Sequence, residues 1–220
     1  MLSSAGAPAA PRRRLHASLL LLAGGRGSRM GGRNKLYLEV GGSLLIERTL
    51  RRISPLFSET LLLVACGEAD AVRADFASLI GGYNVSLVED RVRGRGPLEG
   101  LCRGLSRMSE EWGFLLGCDM PTPQEDTIRG LYRHCGNNTD AVIAELKGYL
   151  EPLHAFYNRR CAAAAERAIA RGDRRIKQFY NDIRLTAVKE EALSGDYEGS
   201  FFNLNTPRDI EKMNLRQRAN

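Results

Sequence analysis

A chain of 220 residues, 43% hydrophobic and 26% charged, can build one sizeable α/β core without a second domain, and its composition excludes disordered, fibrous and membrane-spanning classes. The net charge of +6 with a pI near 9.2 admits an anionic partner. The basic residues are scattered apart from Arg12–Arg14 and form no stripe interleaved with aromatics, which favours small phosphates over nucleic acid. Five cysteines, at 66, 102, 118, 135 and 161, form no CxxC pair and no zinc-type spacing with the histidines at 16, 134 and 154, as expected of a reduced, cytoplasmic protein.

Residues 1–16 are rich in Ala, Pro and Arg. Arginines ahead of an apolar run mimic a signal peptide, but the run from Leu19 to Ala23 is shorter than the roughly 7 residues an apolar signal core needs, so a disordered extension is expected. No stretch reaches membrane-spanning length, and no membrane partner is expected. Leu19 to Leu22 read as a buried strand that breaks into a loop carrying Gly24, Gly25, Gly27, Gly31 and Gly32. Glycine lets backbone amides turn inward around an anion, and Arg26, Arg29, Arg33 and Lys35 add cationic donors. After Gly41-Gly42 the stretch SLLIERTLRRI predicts a helix with Ser43 as N-cap.

Thr60 to Ala65 predict a second buried strand, Glu68 to Leu79 a helix, and Val85 to Val88 a third strand ending at Glu89-Asp90. A basic glycine-rich loop then enters a helix at Pro97. Trp112 to Gly117 predict a fourth strand that stops at Cys118-Asp119 before Pro121 and Pro123, with a helix from Gln124 to His134. Asp140–Leu146 and Leu153–Tyr157 predict strands, Cys161–Arg171 a helix closed by Gly172, and Arg174–Tyr180 a short basic helix. Residues 184–188 and 201–204 are strand candidates, and Thr206-Pro207 opens a last helix.

Alternating β and α units predict a mostly parallel sheet with helices on both faces, whose ligands bind beyond the carboxyl ends of the strands. That edge gathers the glycine loop, Asp90 and Asp119. Two common phosphate signatures do not fit the loop. A Walker A loop needs Ser or Thr after its lysine, but Leu36 follows Lys35, and the third glycine of a dinucleotide fingerprint is Met30 here.

The stretch from Leu22 to Lys35 resembles the nucleotidyltransferase signature LAGGxSxRMGxxK, with a one-residue shift before the lysine. Gly96-Pro97-Leu98-Glu99-Gly100, Cys118-Asp119-Met120-Pro121, Glu151-Pro152-Leu153 and Asn203-Leu204-Asn205-Thr206-Pro207 follow in the order of motifs in the molybdenum cofactor guanylyltransferase family. The resemblance implies a three-layer α/β/α, Rossmann-like fold of the nucleotide-diphospho-sugar transferase type. One nucleotidyltransferase domain over 17–214 would lie between the N-terminal extension and a tail at 215–220. The implied reaction transfers GMP from Mg-GTP to the phosphate of molybdopterin and releases pyrophosphate.

On that resemblance Arg29, Lys35 and Asp119 are catalytic, and Asp119 holds Mg²⁺. Nucleotide contacts fall on Leu22, Ala23, Gly24, Gly25, Gly27, Ser28, Lys35, Asp90, Gly96, Pro97, Leu98 and Asp119. Arg174, Arg175, Asn203 and Asn205 serve the acceptor, and molybdenum-insertion or recipient molybdoenzyme proteins are implied as partners. Without the motif order, Asp119 reads equally as a turn former, Arg174-Arg175 as a solvated helix face, and 203–207 as a turn with a helix cap.

Two departures stand out. Asn34 replaces the family's Asp before the loop lysine, and Cys66-Gly67 occupies the place of an Asn-Arg pair. A cytidylyltransferase acting on the same acceptor is the nearest rival, followed by another small-phosphate nucleotidyltransferase. Gly24, where that enzyme has alanine, and the GPLEG segment favour guanine. A noncatalytic nucleotide-binding adaptor in cofactor delivery is the non-enzyme alternative, and intact Lys35 and Asp119 count against it.

Overall fold

The computed structural model describes residues 13–23, 35–206, 208–211 and 213. The expected loop residues Gly24, Gly25, Gly27, Ser28 and Arg29 lie outside that set, as do Asn34 and Pro207. From β1 (Leu15–Leu22) the described chain passes through the hairpin β2 (Glu39–Val40) and β3 (Ser43–Leu44), α1 (Leu45–Ile53), β4 (Phe57–Val64), α2 (Ala69–Asp75), α3 (Ala77–Gly82) and β5 (Val85–Glu89). It continues through α4 (Pro97–Arg107), β6 (Trp112–Gly117), α5 (Glu125–Tyr132), β7 (Ala141–Leu146), β8 (Tyr149–Asn158), α6 (Cys161–Ala170), β9 (Leu185–Lys189) and α7 (Tyr197–Ser200).

A seven-stranded sheet runs in the order β5-β4-β1-β6-β8-β7-β9. β1, β4, β5 and β6 are parallel neighbours, β8 is antiparallel to both β6 and β7, and β9 is parallel to β7. Only β8 is reversed, so the sheet is mostly parallel, as expected. Successive side chains of β1 point to opposite faces. Leu19 and Leu21 enter a core built with Ile46 and Leu50 of α1, Val72 of α2 and Ile128 of α5. Leu20 and Leu22 enter a second core with Leu98, Leu101 and Leu105 of α4 and Ala165 and Ala168 of α6. The expected three layers follow from this alternation. A third, smaller cluster of Leu38, Val40, Leu45, Leu204 and Met213 ties the β2–β3 hairpin to the C-terminal segment.

Several local expectations are corrected. Ser43 does not cap α1: it pairs with Val40 in the hairpin, and Leu44 stands at the N-cap without a side-chain bond. The helix predicted over 68–79 divides at Phe76 (φ −114°, ψ 22°), a bend that lets its ring bury beside Tyr37. Residues 201–204 pair with no strand, because the Leu204 amide donates to the Asp119 carbonyl and the Phe202 amide to that of Gly199. The basic stretch forms a tight 3₁₀ segment, Ile176–Asp182, and Arg174 and Arg175 precede it. Thr206 does behave as a cap: its hydroxyl accepts from the Asp209 amide at 3.3 Å, and the Asp209 carboxylate accepts from the Thr206 amide at 2.8 Å.

Candidate active site

The parallel strands deliver their carboxyl ends to one edge. Leu22 of β1 lies opposite Leu63 of β4 and Gly117 of β6. The ladder then runs on one step: the Ala23 amide donates to Leu63 at 2.9 Å, the Cys118 amide to Leu22 at 3.1 Å, and the Asp90 amide to Val64 at 3.0 Å. Ala23, Asp90 and Cys118, which precedes Asp119, are thereby fixed by backbone bonds at the rim. Lys35 begins a 3₁₀ turn anchored by Leu36, which is 1% exposed. The Lys35 ammonium forms an ion pair with the Asp119 carboxylate, two residues 84 positions apart in sequence.

Asp119 is nearly buried, at 7% exposure. A Cβ at Gly117 would fall 2.7 Å from its Oδ1, so the glycine makes room for the carboxylate. The C-terminal segment is tied to the same turn at three points. The Leu204 amide reaches the Asp119 carbonyl at 2.9 Å, the Thr122 hydroxyl donates to the Gly199 carbonyl at 2.7 Å, and the Gln124 amide donates to the Ser200 hydroxyl at 2.9 Å. Leu204 is buried between the less buried Asn203 and Asn205, the alternation expected of an extended segment with both asparagines on one side. The Asn203 amide nitrogen turns back to the Phe201 carbonyl at 3.3 Å.

On the β5 side, Gly96 adopts φ +76°, and a Cβ there would lie 2.7 Å from the Arg174 carbonyl oxygen. That oxygen accepts the Leu98 amide at 3.2 Å, so the start of α4 and the segment holding Arg174-Arg175 meet. The Gln178 side chain accepts from the amides of Arg174 and Arg175 at 3.0 and 2.8 Å, fixing their backbone. Gly100 packs α4 against Leu22 and the Asp90 carboxylate. Burial, then the nearby Glu99 charge, push the Asp90 carboxyl up to about 7, against a smaller downward pull from Arg103. A cavity of about 450 Å³ opens there, lined by Cys66, Asp90, Arg91 and Arg103 among others.

The structure thus joins Lys35, Asp119, Ala23 and the 203–205 segment at the β1–β6 junction and places Asp90 two strands away. Arg174 touches the start of α4 through its backbone. Three further groups at this edge are not among the expected site residues. Glu99 is 5% exposed beside Asp90. Arg93 donates to the Cys66 carbonyl at 3.2 and 3.3 Å and occupies the space over Gly67. Ser200 lies between the Gln124 amide and His154. A buried Glu at the third position of a Pro-initiated helix was a visible signal; the other two depend on contacts over 27 and 46 residues. Among the described residues no three His, Cys, Asp or Glu side chains form a metal cage, and no helix is long and apolar enough to cross a membrane.

A mostly parallel α/β sheet whose first strand is followed in sequence by a glycine-rich stretch, with a lysine–aspartate pair at the shared carboxyl edge, is the framework of a nucleotidyltransferase. Comparison with known proteins bears this out: the MobA-like NTP transferase domain matches residues 19–188, and the chain belongs to that family. It is 31% identical over 195 residues to a molybdenum cofactor guanylyltransferase of Desulfosudis oleivorans, covering 88% of this chain and 92% of the relative. A molybdenum cofactor guanylyltransferase of Photobacterium profundum is 27% identical over 195 residues, covering 89% and 94%. The crystal structure of molybdopterin-guanine dinucleotide biosynthesis protein A from Archaeoglobus fulgidus superposes with a TM-score of 0.76 at 28% identity, over 92% of this chain and all of that one. A 4-diphosphocytidyl-2C-methyl-D-erythritol synthase from Anaerococcus prevotii, 18% identical over 92% and 96% of the two chains at a TM-score of 0.67, shares the fold.

Proposed function

We propose that the enzyme transfers GMP from Mg-GTP to the terminal phosphate of molybdopterin and releases pyrophosphate. The observation that carries this reading is the Lys35–Asp119 contact at the β1–β6 edge, in a chain that matches guanylyltransferases over nearly its whole length. An ionised oxygen of the acceptor phosphate attacks the α-phosphorus. One P–O bond forms, the bond to the bridging oxygen breaks, and pyrophosphate leaves with the electron pair. No side-chain base is needed, because the attacking oxygen carries no proton.

What the reaction demands is relief of repulsion between two polyanions and a stabilised leaving group. Lys35 supplies a mobile cation beside the triphosphate, joined in our reading by Arg29 and the amides of Gly24, Gly25, Gly27 and Ser28. Asp119, one carboxylate with space over Gly117, suits Mg²⁺, which takes one or two carboxylates together with phosphates and water; bound there, the ion supplies further neutralisation of phosphate charge. Asn203 and Asn205, carried on the segment bonded to Asp119, orient the acceptor with Arg174 and Arg175. Gly96, Pro97 and Leu98 hold the nucleotide side through the start of α4.

Asp90 sets the base. Guanine presents two adjacent donors, N1–H and the 2-amino group, to a carboxylate, whereas the cytosine edge carries one donor beside two acceptors. All five cysteines are free, which suits a reducing cytoplasm. Handover of so labile a product fits a complex with molybdenum-insertion or recipient proteins.

The test is pyrophosphate release from molybdopterin, Mg²⁺ and each of the four nucleoside triphosphates. Turnover chiefly with GTP is expected, and equal turnover with CTP overturns the base assignment. Asp119→Ala should abolish turnover while leaving the circular dichroism spectrum unchanged. Nucleotide binding without acceptor consumption would support the adaptor instead.

A further inference from the structure

The Glu151-Pro152-Leu153 stretch has no part in the chemistry above. β8 alone runs against its neighbours, so its beginning lies at the edge that holds Asp119. Leu116 of β6 is opposite His154 of β8. A Cβ at Gly117 would meet Leu153 at 3.6 Å as well as Asp119. Leu153 therefore flanks the Asp119 carboxylate. Glu151 lies two residues nearer the start of the strand, in the stretch where the β7–β8 register shifts between Ile143 and Glu145.

Glu151 is half-buried, and its carboxylate accepts no hydrogen bond among the described residues. The charge that acts on it comes from Lys177, and its own charge is felt by Tyr180. Both belong to the 3₁₀ segment Ile176–Asp182, which continues directly from Arg174-Arg175. Glu151 thus faces the acceptor side of the edge, with oxygen lone pairs that burial makes costly to leave unfilled.

We infer that Glu151 recognises the acceptor's pterin ring, accepting hydrogen bonds from the ring N3–H and the exocyclic 2-amino group. This rests on the reading of molybdopterin as acceptor. Guanine and pterin share the 2-amino-4-oxopyrimidine edge, a pair of adjacent donors that a carboxylate accepts in fork geometry. Asp90 at the end of β5 and Glu151 on β8 stand on opposite sides of the Lys35–Asp119 pair, four strand spacings apart, roughly 19 Å. A dinucleotide with that edge at each end meets a carboxylate at each end, while the phosphates lie over the cations between them.

The experiment measures GTP-dependent turnover of molybdopterin by wild type and Glu151→Gln, with pterin and lumazine as competing inhibitors; lumazine has oxygen in place of the 2-amino group. The variant should raise the apparent KM for molybdopterin about ten- to a hundredfold and leave that for GTP within about twofold. Wild type should bind pterin more tightly than lumazine, and the variant should lose that preference. An unchanged molybdopterin KM in the variant, or a wild type indifferent to the 2-amino group, overturns the pterin subsite. Wild type that consumes no molybdopterin overturns the acceptor assignment itself. The inhibitor comparison on wild type decides the matter if the variant does not fold.

Discussion

Asp90 is ionised only at a cost, because burial and the neighbouring Glu99, Glu89 and Glu68 oppose its charge while Arg103 offsets part of that opposition. With its carboxyl raised from 3.8 to about 7, the folded protein keeps a proton that the unfolded chain gives up. Stability therefore falls as pH rises through that window and levels off above it. Asp90→Asn removes the titration. Its melting temperature should exceed that of wild type by a margin that widens between about pH 5 and about pH 8, as calorimetry at both would show; a constant margin would refute the cause. The same change replaces one acceptor of the guanine edge with a donor, so the KM for GTP should rise about tenfold or more. Glu89 adjoins Asp90 in the sequence, but Glu99, Glu68 and Arg103 could not be placed beside it from the end of a predicted strand. Its exposure and charge depend on α4 folding back over β1 and β4, which spacing along the chain does not encode.

The segment from α7 to Thr206 acts as a strap over the Asp119 turn, and its buried end rests on His154. That ring is fully buried against Phe114 and Phe201, its Nε2 faces the Ser200 hydroxyl at 3.4 Å, and Nδ1 has no partner among the described residues. Burial lowers its pKa from 6.5 to about 3. The unfolded chain then binds a proton that the fold refuses, and stability is lost as pH falls below about 6.5. His154→Leu should flatten unfolding free energy against pH between about 6.5 and about 4, measured in urea. It should also reduce turnover by loosening Ser200 and, through it, Asn203 and Asn205. An unaltered acid limb would show that another group controls acid unfolding. The asparagines' alternation was readable in the sequence, but their placement was not. Residues 201–204 looked like a strand, whereas the Phe201 and Phe202 amides bond to the Tyr197 and Gly199 carbonyls and the Leu204 amide to that of Asp119.

The whole sheet was more legible than its parts, because alternating apolar runs and helices leave few ways to cover both faces of parallel strands. The reversed β8 was also recoverable, had the short connection been weighed: Lys147 and Gly148 join β7 to β8 with φ of +51° and +79°, and two residues cannot make a parallel crossover. The reversal matters at the scale of the molecule, since it brings Glu151 rather than the far end of β8 to the site. β1 occupies the other decisive position. It is hydrogen-bonded on both sides, by β4 and β6, and Leu19 to Leu22 are at most 7% exposed. Their amides should exchange with deuterium only through global unfolding, while those of the edge strands β5 and β9 exchange sooner. Fast exchange in β1, detected by mass spectrometry, would show that this strand opens locally. An edge rooted in the slowest-exchanging strand keeps Ala23, bonded to Leu63, and Cys118, bonded to Leu22, in one register for as long as the molecule is folded.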